Sequence, residues 1–120
     1  MIAKHKLMEL VRDWLNAWNS RNIERLMSHY QENAELSSPT IVKRWNIATG
    51  RITGKEALRK HFLKGFEDIN HSSFELLGVL TGVNGIVLIY RRGAFGMAAD
   101  VITLDENGKA ITIDSYHSQE

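Results

Sequence analysis

The 120-residue chain has no cysteine and a single proline. Without a thiol there is no disulfide framework, no thiolate nucleophile and no thiolate metal site. Neither sign of charge is in excess, with 15 Lys plus Arg against 14 Asp plus Glu. That balance argues against a nucleic-acid or membrane-surface partner, whose footprint is a strong basic bias. Long apolar runs are missing too. None approaches the roughly 20 residues of a membrane span, and the opening MIAKHKLMEL has no continuous apolar leader core. A cytoplasmic protein is the expectation. Histidines at 5, 29, 61, 71 and 117 show no H-x-H or H-E-x-x-H spacing, and neither a glycine-rich phosphate loop nor a G-x-S-x-G elbow occurs. No metal and no cofactor are expected.

What is present is ordinary globular material, 43% hydrophobic and 24% charged. It suffices for one domain over residues 1–120 with a core and a modest cavity. Leu7, Val11, Trp14 and Trp18 fall at helical spacing, so residues 5–19 are predicted to form an amphipathic helix. Asn22 is placed to cap a second helix with Ile23, Leu26, Met27 and Tyr30 on one face. AELSSP is predicted as a short strand closed by Pro39, and TIVKRWNIATGRI as a hairpin or long arm. Thr53 and Glu56 then make a T-x-x-E capping box for a third helix carrying Leu58, Phe62, Phe66 and Ile69 and ending near Asp68. From residue 73 the period becomes extended. Four strands, SFELLGVLTG, GIVLIYRR, AFGMAADVITL and AITIDSYHS, are separated by Asn84-Gly85, Arg92-Gly93 and Asn107-Gly108. Such turns force antiparallel hairpins, and helices followed by a meander predict an α+β domain.

WLNAWNSRNIERLMSHYQENAELSSP, GKEALRKHF and DVITLDENGKAITIDSYH, taken in that order, resemble the nuclear transport factor 2-like superfamily. Within it the chain is similar to SnoaL-like domains and ketosteroid isomerases. The resemblance implies a cystatin-like cone, three N-terminal helices on a curved, mostly antiparallel sheet. It further implies an apolar pocket at the open end and a homodimer paired through the outer sheet face. Family isomerases carry a tyrosine on the first helix, an aspartate before a proline at the end of the first strand, and a second acid on a meander strand. The matching positions are Trp14, Ser38 and Asp100, so two of the three differ and steroid isomerisation itself is not expected. SnoaL-type polyketide cyclases, similar in architecture, use a pocket aspartate with histidine help, and their acid aligns to neither Asp100 nor Asp114 unambiguously.

Asp100 interrupts a run that otherwise reads as buried strand: Met97, Ala98, Ala99, Val101, Ile102, Leu104. An unpaired carboxylate is costly to bury, so such a position either faces water or serves chemistry. Alternation sends Asp100, Ile102 and Leu104 inward and Val101 and Thr103 outward. If the resemblance sets the last strand's register, Ile111, Ile113, Ser115 and His117 point in, while Thr112, Asp114 and Tyr116 point out. Asp100 and His117 are then the candidate catalytic pair, with Trp14, Trp18, Tyr30, Ser38 and Phe62 contacting a small apolar ligand. Two functions stay open. One is proton transfer of the isomerase or cyclase type on a small apolar carbonyl compound. The other is a non-catalytic module of the same fold that holds a ligand or pairs with another protein. Lys43, Arg44 and Arg51 around Trp45 are read as a solvated face, and no nucleic-acid or membrane partner is expected. Outward Phe95, Met97, Val101 and Tyr116 point to a homodimer.

Overall fold

The first apolar stripe becomes α1, Lys4–Asn19, with Leu7, Val11, Trp14, Ala17 and Trp18 buried along one face. The chain is seen as a computed structural model that describes residues 2–68 and 73–119. Asn22 caps α2, Ile23–Met27, by accepting the Arg25 amide at 3.1 Å. Tyr30 does not continue that helix. It opens β1, Tyr30–Ser37, where it pairs with Ala110 some eighty residues away in sequence, and this tertiary pairing overrides the local helical spacing.

The segment after β1 corrects a second expectation. Residues Pro39–Trp45 form a helix, α3, in place of a hairpin arm. Ser38 caps it by accepting the Thr40 amide at 3.3 Å, and Pro39 sits in the first turn, where its missing N–H leaves no bond unmade. Asn46, left-handed at φ 56°, ends it. A short strand, β2 (Arg51–Thr53), leads into α4, Lys55–Asp68. The anticipated Thr53–Glu56 capping box is not what starts this helix: Gly54, which has no side chain to cap with, precedes it and its carbonyl accepts the Leu58 amide at 3.0 Å, while Thr53 closes β2. Leu58, Phe62 and Phe66 are buried as expected, while Ile69 and His71 lie outside the described residues.

The meander follows as β3 (Phe74–Thr81), β4 (Gly85–Arg92), β5 (Met97–Leu104) and β6 (Ala110–His117). Ala94 and Phe95, expected to begin a strand, instead join Gly93, expected as a turn, in a 3-10 turn (Gly93–Phe95) that carries the chain from β4 to β5. One sheet results, in the order β2-β1-β6-β5-β4-β3, antiparallel except where β1 lies parallel to β6. Gly85 is required at the start of β4, because a Cβ there would stand 2.0 Å from the carbonyl oxygen of Ile102. A register shift beside Leu104 takes Ile111 out of the β5–β6 pairing, so Ala110 is buried and Ile111 only half-buried.

Among the described residues, four α-helices, not three, therefore accompany six strands. The buried core, including Leu26, Ile41, Leu58 and Leu88, fills the space between helices and sheet. The opposite sheet face is left with exposed Val101 and Tyr116. Among the described residues no helix is long and apolar enough to cross a membrane.

Candidate functional site

Between the helices and the sheet lies a cavity of about 90 Å³. At roughly 15 Å³ per water-sized group, it takes about six such groups, the size of a small ring. All seven residues singled out from the sequence line it: Trp14, Trp18, Tyr30, Ser38, Phe62, Asp100 and His117. The periodicities explain why. Trp14 and Trp18 are one turn apart on α1 and so share a face. Asp100 occupies an inward position of β5, and its neighbour Val101 is 42% exposed. Asp100 pairs with Ser115 across the β5–β6 ladder, and Ser115 and His117 are two residues apart on β6, hence on the same side of the sheet.

Asp100 is 7% exposed and is held by two hydroxyls. Tyr90 donates to both carboxylate oxygens at 3.1 Å, and Ser115 donates to Oδ1 at 2.6 Å. Burial outweighs these bonds and the charge of Arg92, all of which favour the ionised form, and pushes the Asp100 carboxyl up from 3.8 to about 6. Ser115 has one proton, and it is committed to Asp100. Its oxygen must therefore accept at 3.1 Å from His117 Nε2, which fixes the imidazole proton on Nε2. Burial, with the charges of Arg92 and Lys43, lowers His117 to about 4, so the ring is neutral at pH 7. A directed chain results, His117 to Ser115 to Asp100, running from the cavity rim to its buried acid.

Trp14, in the position of the family tyrosine, donates its indole N–H to the Tyr30 hydroxyl at 3.2 Å. Tyr30 is buried, and desolvation together with the Asp100 charge raises its pKa, so it keeps its proton. Among the described residues that proton has no acceptor, and Tyr30 lines the cavity.

The helical wall carries a second network around His61. Trp45 donates to His61 Nδ1 at 3.0 Å, and Arg44 approaches the same nitrogen at 3.1 Å. Two donors on one nitrogen make it an acceptor, so the proton resides on Nε2, which faces Thr40 Oγ1 at 3.4 Å. Burial first, then the Arg44 charge, lowers His61 to about 4. Arg44 also bonds Asp68 at 2.7 Å, with its side chain 14% exposed. The expected solvated face is thus divided: Arg44 turns inward, whereas Arg51 sits 3.6 Å from both Glu35 and Asp114 on the surface.

Tyr90, Ser115, His61 and Arg44 were not singled out as site residues from the sequence. Ile86, Leu88 and Tyr90 alternate, which places Tyr90 on the inward face of β4 with the same logic that placed Asp100. His61 falls within the stripe of Leu58, Phe62, Gly65 and Phe66. Among the described residues no three metal-binding side chains converge.

Fold and site together define a class: a small α+β protein, its sheet covered on one face by helices, with a buried acid, Asp100, among the residues that line a cavity between them. The chain belongs to the SnoaL-like domain family, whose model matches residues 11–117, within the nuclear transport factor 2-like superfamily. It is similar to a solved SnoaL-like protein of unknown function from Burkholderia thailandensis E264, at 28% identity, 98% coverage of each chain and a TM-score of 0.90. It shares its fold with a protein of unknown function with cystatin-like fold from Methylobium petroleophilum PM1, at 9% identity, covering 99% of this chain and 80% of that one, TM-score 0.77. The epoxide hydrolase/cyclase-like enzyme SalBIII, described in pyran ring formation in the polyether salinomycin, has the same fold at 17% identity, 99% and 95% coverage and a TM-score of 0.76. No curated protein matches in sequence. The architecture is accordingly the cystatin-like α+β fold.

Proposed function

We propose that this protein catalyses proton transfer on a small carbonyl compound whose apolar body enters the cavity, in the manner of an isomerase or cyclase. The supporting observation is Asp100: a buried carboxyl at about 6, held by two hydroxyl donors and facing an apolar cavity. A base is most effective when its pKa lies near the working pH, because it is then both ionised and avid for a proton. Asp100 removes a proton from the carbon beside the carbonyl. The electron pair moves onto the carbonyl oxygen, and the Tyr30 hydroxyl donates a hydrogen bond to that developing negative charge. Return of the proton to the same or a neighbouring carbon completes the exchange or isomerisation. The Ser115 and His117 chain lets Asp100 trade its proton with water at the rim.

Tyr30 supplies the donor that Trp14 cannot offer, and Asp100 is the base where Ser38 is not one. Ser38 is occupied in capping α3 and bonding Thr40 Oγ1 at 2.9 Å. Steroid isomerisation is not part of the proposal. The test is a carbon-13 NMR titration of the Asp100 carboxyl together with deuterium exchange at the α-carbon of a panel of cyclic ketones. A midpoint near 6 and protein-dependent exchange are expected. A midpoint near 4 with no exchange would reduce the protein to a ligand-holding module.

The outer face of the sheet is proposed to pair with a second copy. Met97, Val101 and Tyr116 are 41%, 42% and 64% exposed, an apolar cluster of the kind that marks an association surface, whereas Phe95, expected beside them, lies in the 3-10 turn and lines a recess by Thr40 and His117. Sedimentation at micromolar concentration is expected to give a dimer, and Val101→Glu a monomer. A wild-type monomer would refute the pairing.

A further inference from the structure

Three polar side chains that the proton transfer does not use line the cavity where α3 and α4 meet the end of β1: Ser38, Thr40 and His61. Ser38 and His61 are 8% and 6% exposed. His61 carries a proton on Nε2, because its Nδ1 accepts from Trp45 and Arg44, and each hydroxyl carries one. Two contacts use two of these three protons: Nε2 faces Thr40 Oγ1 at 3.4 Å, and the two hydroxyls share one proton at 2.9 Å. The Thr40 amide adds a further donor, to Ser38 Oγ at 3.3 Å. Whichever hydroxyl donates to the other, one hydroxyl proton is left without an acceptor among the described residues. The imidazole proton is loosely held as well, since 3.4 Å lies beyond the range of about 2.7–3.2 Å for an ordinary N–H···O bond. Buried donors are costly to leave unpaired, so this wall is short of one oxygen. The sheet fixes where it lies. Ser37 pairs with Asp114 and donates to it at 2.7 Å on the outer side, so the next residues, Ser38 and Ser115, stand side by side on the inner one. Asp100 pairs with Ser115 from the following strand, and two strand spacings, about 10 Å, separate Ser38 from Asp100.

We propose that the ligand is a dicarbonyl compound: one carbonyl is presented to Asp100 and Tyr30, and the oxygen of the second accepts from His61 Nε2 and from the spare proton of the Ser38 and Thr40 hydroxyls. This rests on the proton-transfer reading for the first carbonyl and on the count of donors for the second. The surplus is of protons, so the wall selects an oxygen that brings none of its own. His61 suits the task because its ring is neutral and locked. Burial first, then the Arg44 charge, holds it at about 4, so it offers an N–H at pH 7 without asking for a counter-charge. Its tautomer cannot reverse without breaking the bonds from Trp45 and Arg44 together. Side chains that reach inward from strand positions about 10 Å apart suit oxygens at opposite ends of a small ring and not on adjacent carbons.

The probes are cyclohexane-1,4-dione and cyclohexanone, which share the ring and differ by one carbonyl. Affinity is read from amide NMR shifts, and the state of His61 from the nitrogen-15 shifts of its ring. The dione is expected to bind about tenfold more tightly, a difference of about 1.4 kcal/mol, and to move the His61 Nε2 resonance, which cyclohexanone leaves in place. Thr40→Val removes one hydroxyl and keeps the branched shape, and should cut the dione's advantage to about threefold. The nitrogen-15 measurement is made on the wild-type protein and decides the matter should the variant not fold. An advantage of about twofold or less, which two equivalent ends supply by statistics alone, a His61 ring unmoved by the dione, or no binding of either probe overturns the proposal; the spare donors then hold water. Deuterium exchange at the α-carbon is followed separately on both probes. Tighter binding of the dione with a shifted His61 and no exchange upholds the second carbonyl site and removes the proton-transfer reading. Exchange on cyclohexanone with no advantage for the dione does the reverse.

Discussion

Asp100→Asn is expected to slow α-carbon exchange by about a hundred- to ten-thousand-fold, the range for removing a general base, and at the same time to make the protein more stable at pH 7. The two effects share one cause. Burial raises the folded carboxyl from 3.8 to about 6, so the folded protein holds this proton more tightly than the unfolded chain does. The stability contributed by that proton is complete below pH 3.8 and is lost as pH rises through about 6. At about 1.4 kcal/mol for each tenfold change in proton affinity, the rise corresponds to roughly 3 kcal/mol, which neutral protein forgoes to keep Asp100 ionised. Asparagine removes that cost and keeps an oxygen for Ser115 and Tyr90, at the expense of their bonds to a charge. In wild type, kcat/KM should climb with pH along a limb centred near 6, and the variant should lose that limb. Urea midpoints at pH 7 and pH 4 check the stability half: the gain from asparagine should be present at pH 7 and shrink at pH 4. A variant that unfolds more readily at pH 7 and retains exchange within about tenfold would mark Asp100 as a structural carboxylate.

Trp18→Ala is expected to cost about 3–5 kcal/mol, the range for deleting a large buried aromatic, out of a total near 5–15 kcal/mol for a domain of this kind. Trp18 is 8% exposed and belongs to core and cavity wall at once. Its ring lies edge-on to Phe62 and Phe66 at 5.5 and 5.0 Å between centroids, and 4.9 Å from Phe74. It also fixes the approach of α4, since a Cβ on Gly65 would sit 3.3 Å from its six-membered ring. Removing the indole takes away its ring contacts to α4 and to β3 together, leaving α1 tied to β3 by Asn19 and Trp14 against Phe74, and opens a void that merges with the cavity. Urea unfolding should show a lower midpoint with an unchanged slope, the mark of lost stability without a change in the unfolded state. A loss under about 1 kcal/mol would mean that the ring borders a space already filled by water.

The elements that can be read from sequence are those held by nearby residues. The stripe on α1, the Asn22 cap and the turns at Asn84-Gly85 and Asn107-Gly108 each lie within a few positions of what they organise. The α3 helix is harder to read, although Ser38 and Pro39 form a start signal. Seven residues with adjacent β-branched Ile41 and Val42 give too little helical pattern to outweigh a proline read as a strand stop. The site shows the same division: Asp100 stands out as a charge inside an apolar alternation, whereas Tyr90 and His61, hidden within apolar stripes, look like core.

Alone, the sequence determined the α+β class, the antiparallel meander, the inward face of β5 and the family resemblance, because backbone period and turn chemistry act over a few residues. Only the tertiary structure decided that Tyr30 belongs to a strand, that β1 lies beside β6, and that Tyr90 and Ser115 hold Asp100. Only there do Arg44 and Trp45 fix the tautomer of His61. Those arrangements join positions far apart in the chain, and the free energy that selects among such pairings comes from burial and hydrogen bonding in the assembled core, which no local stretch contains.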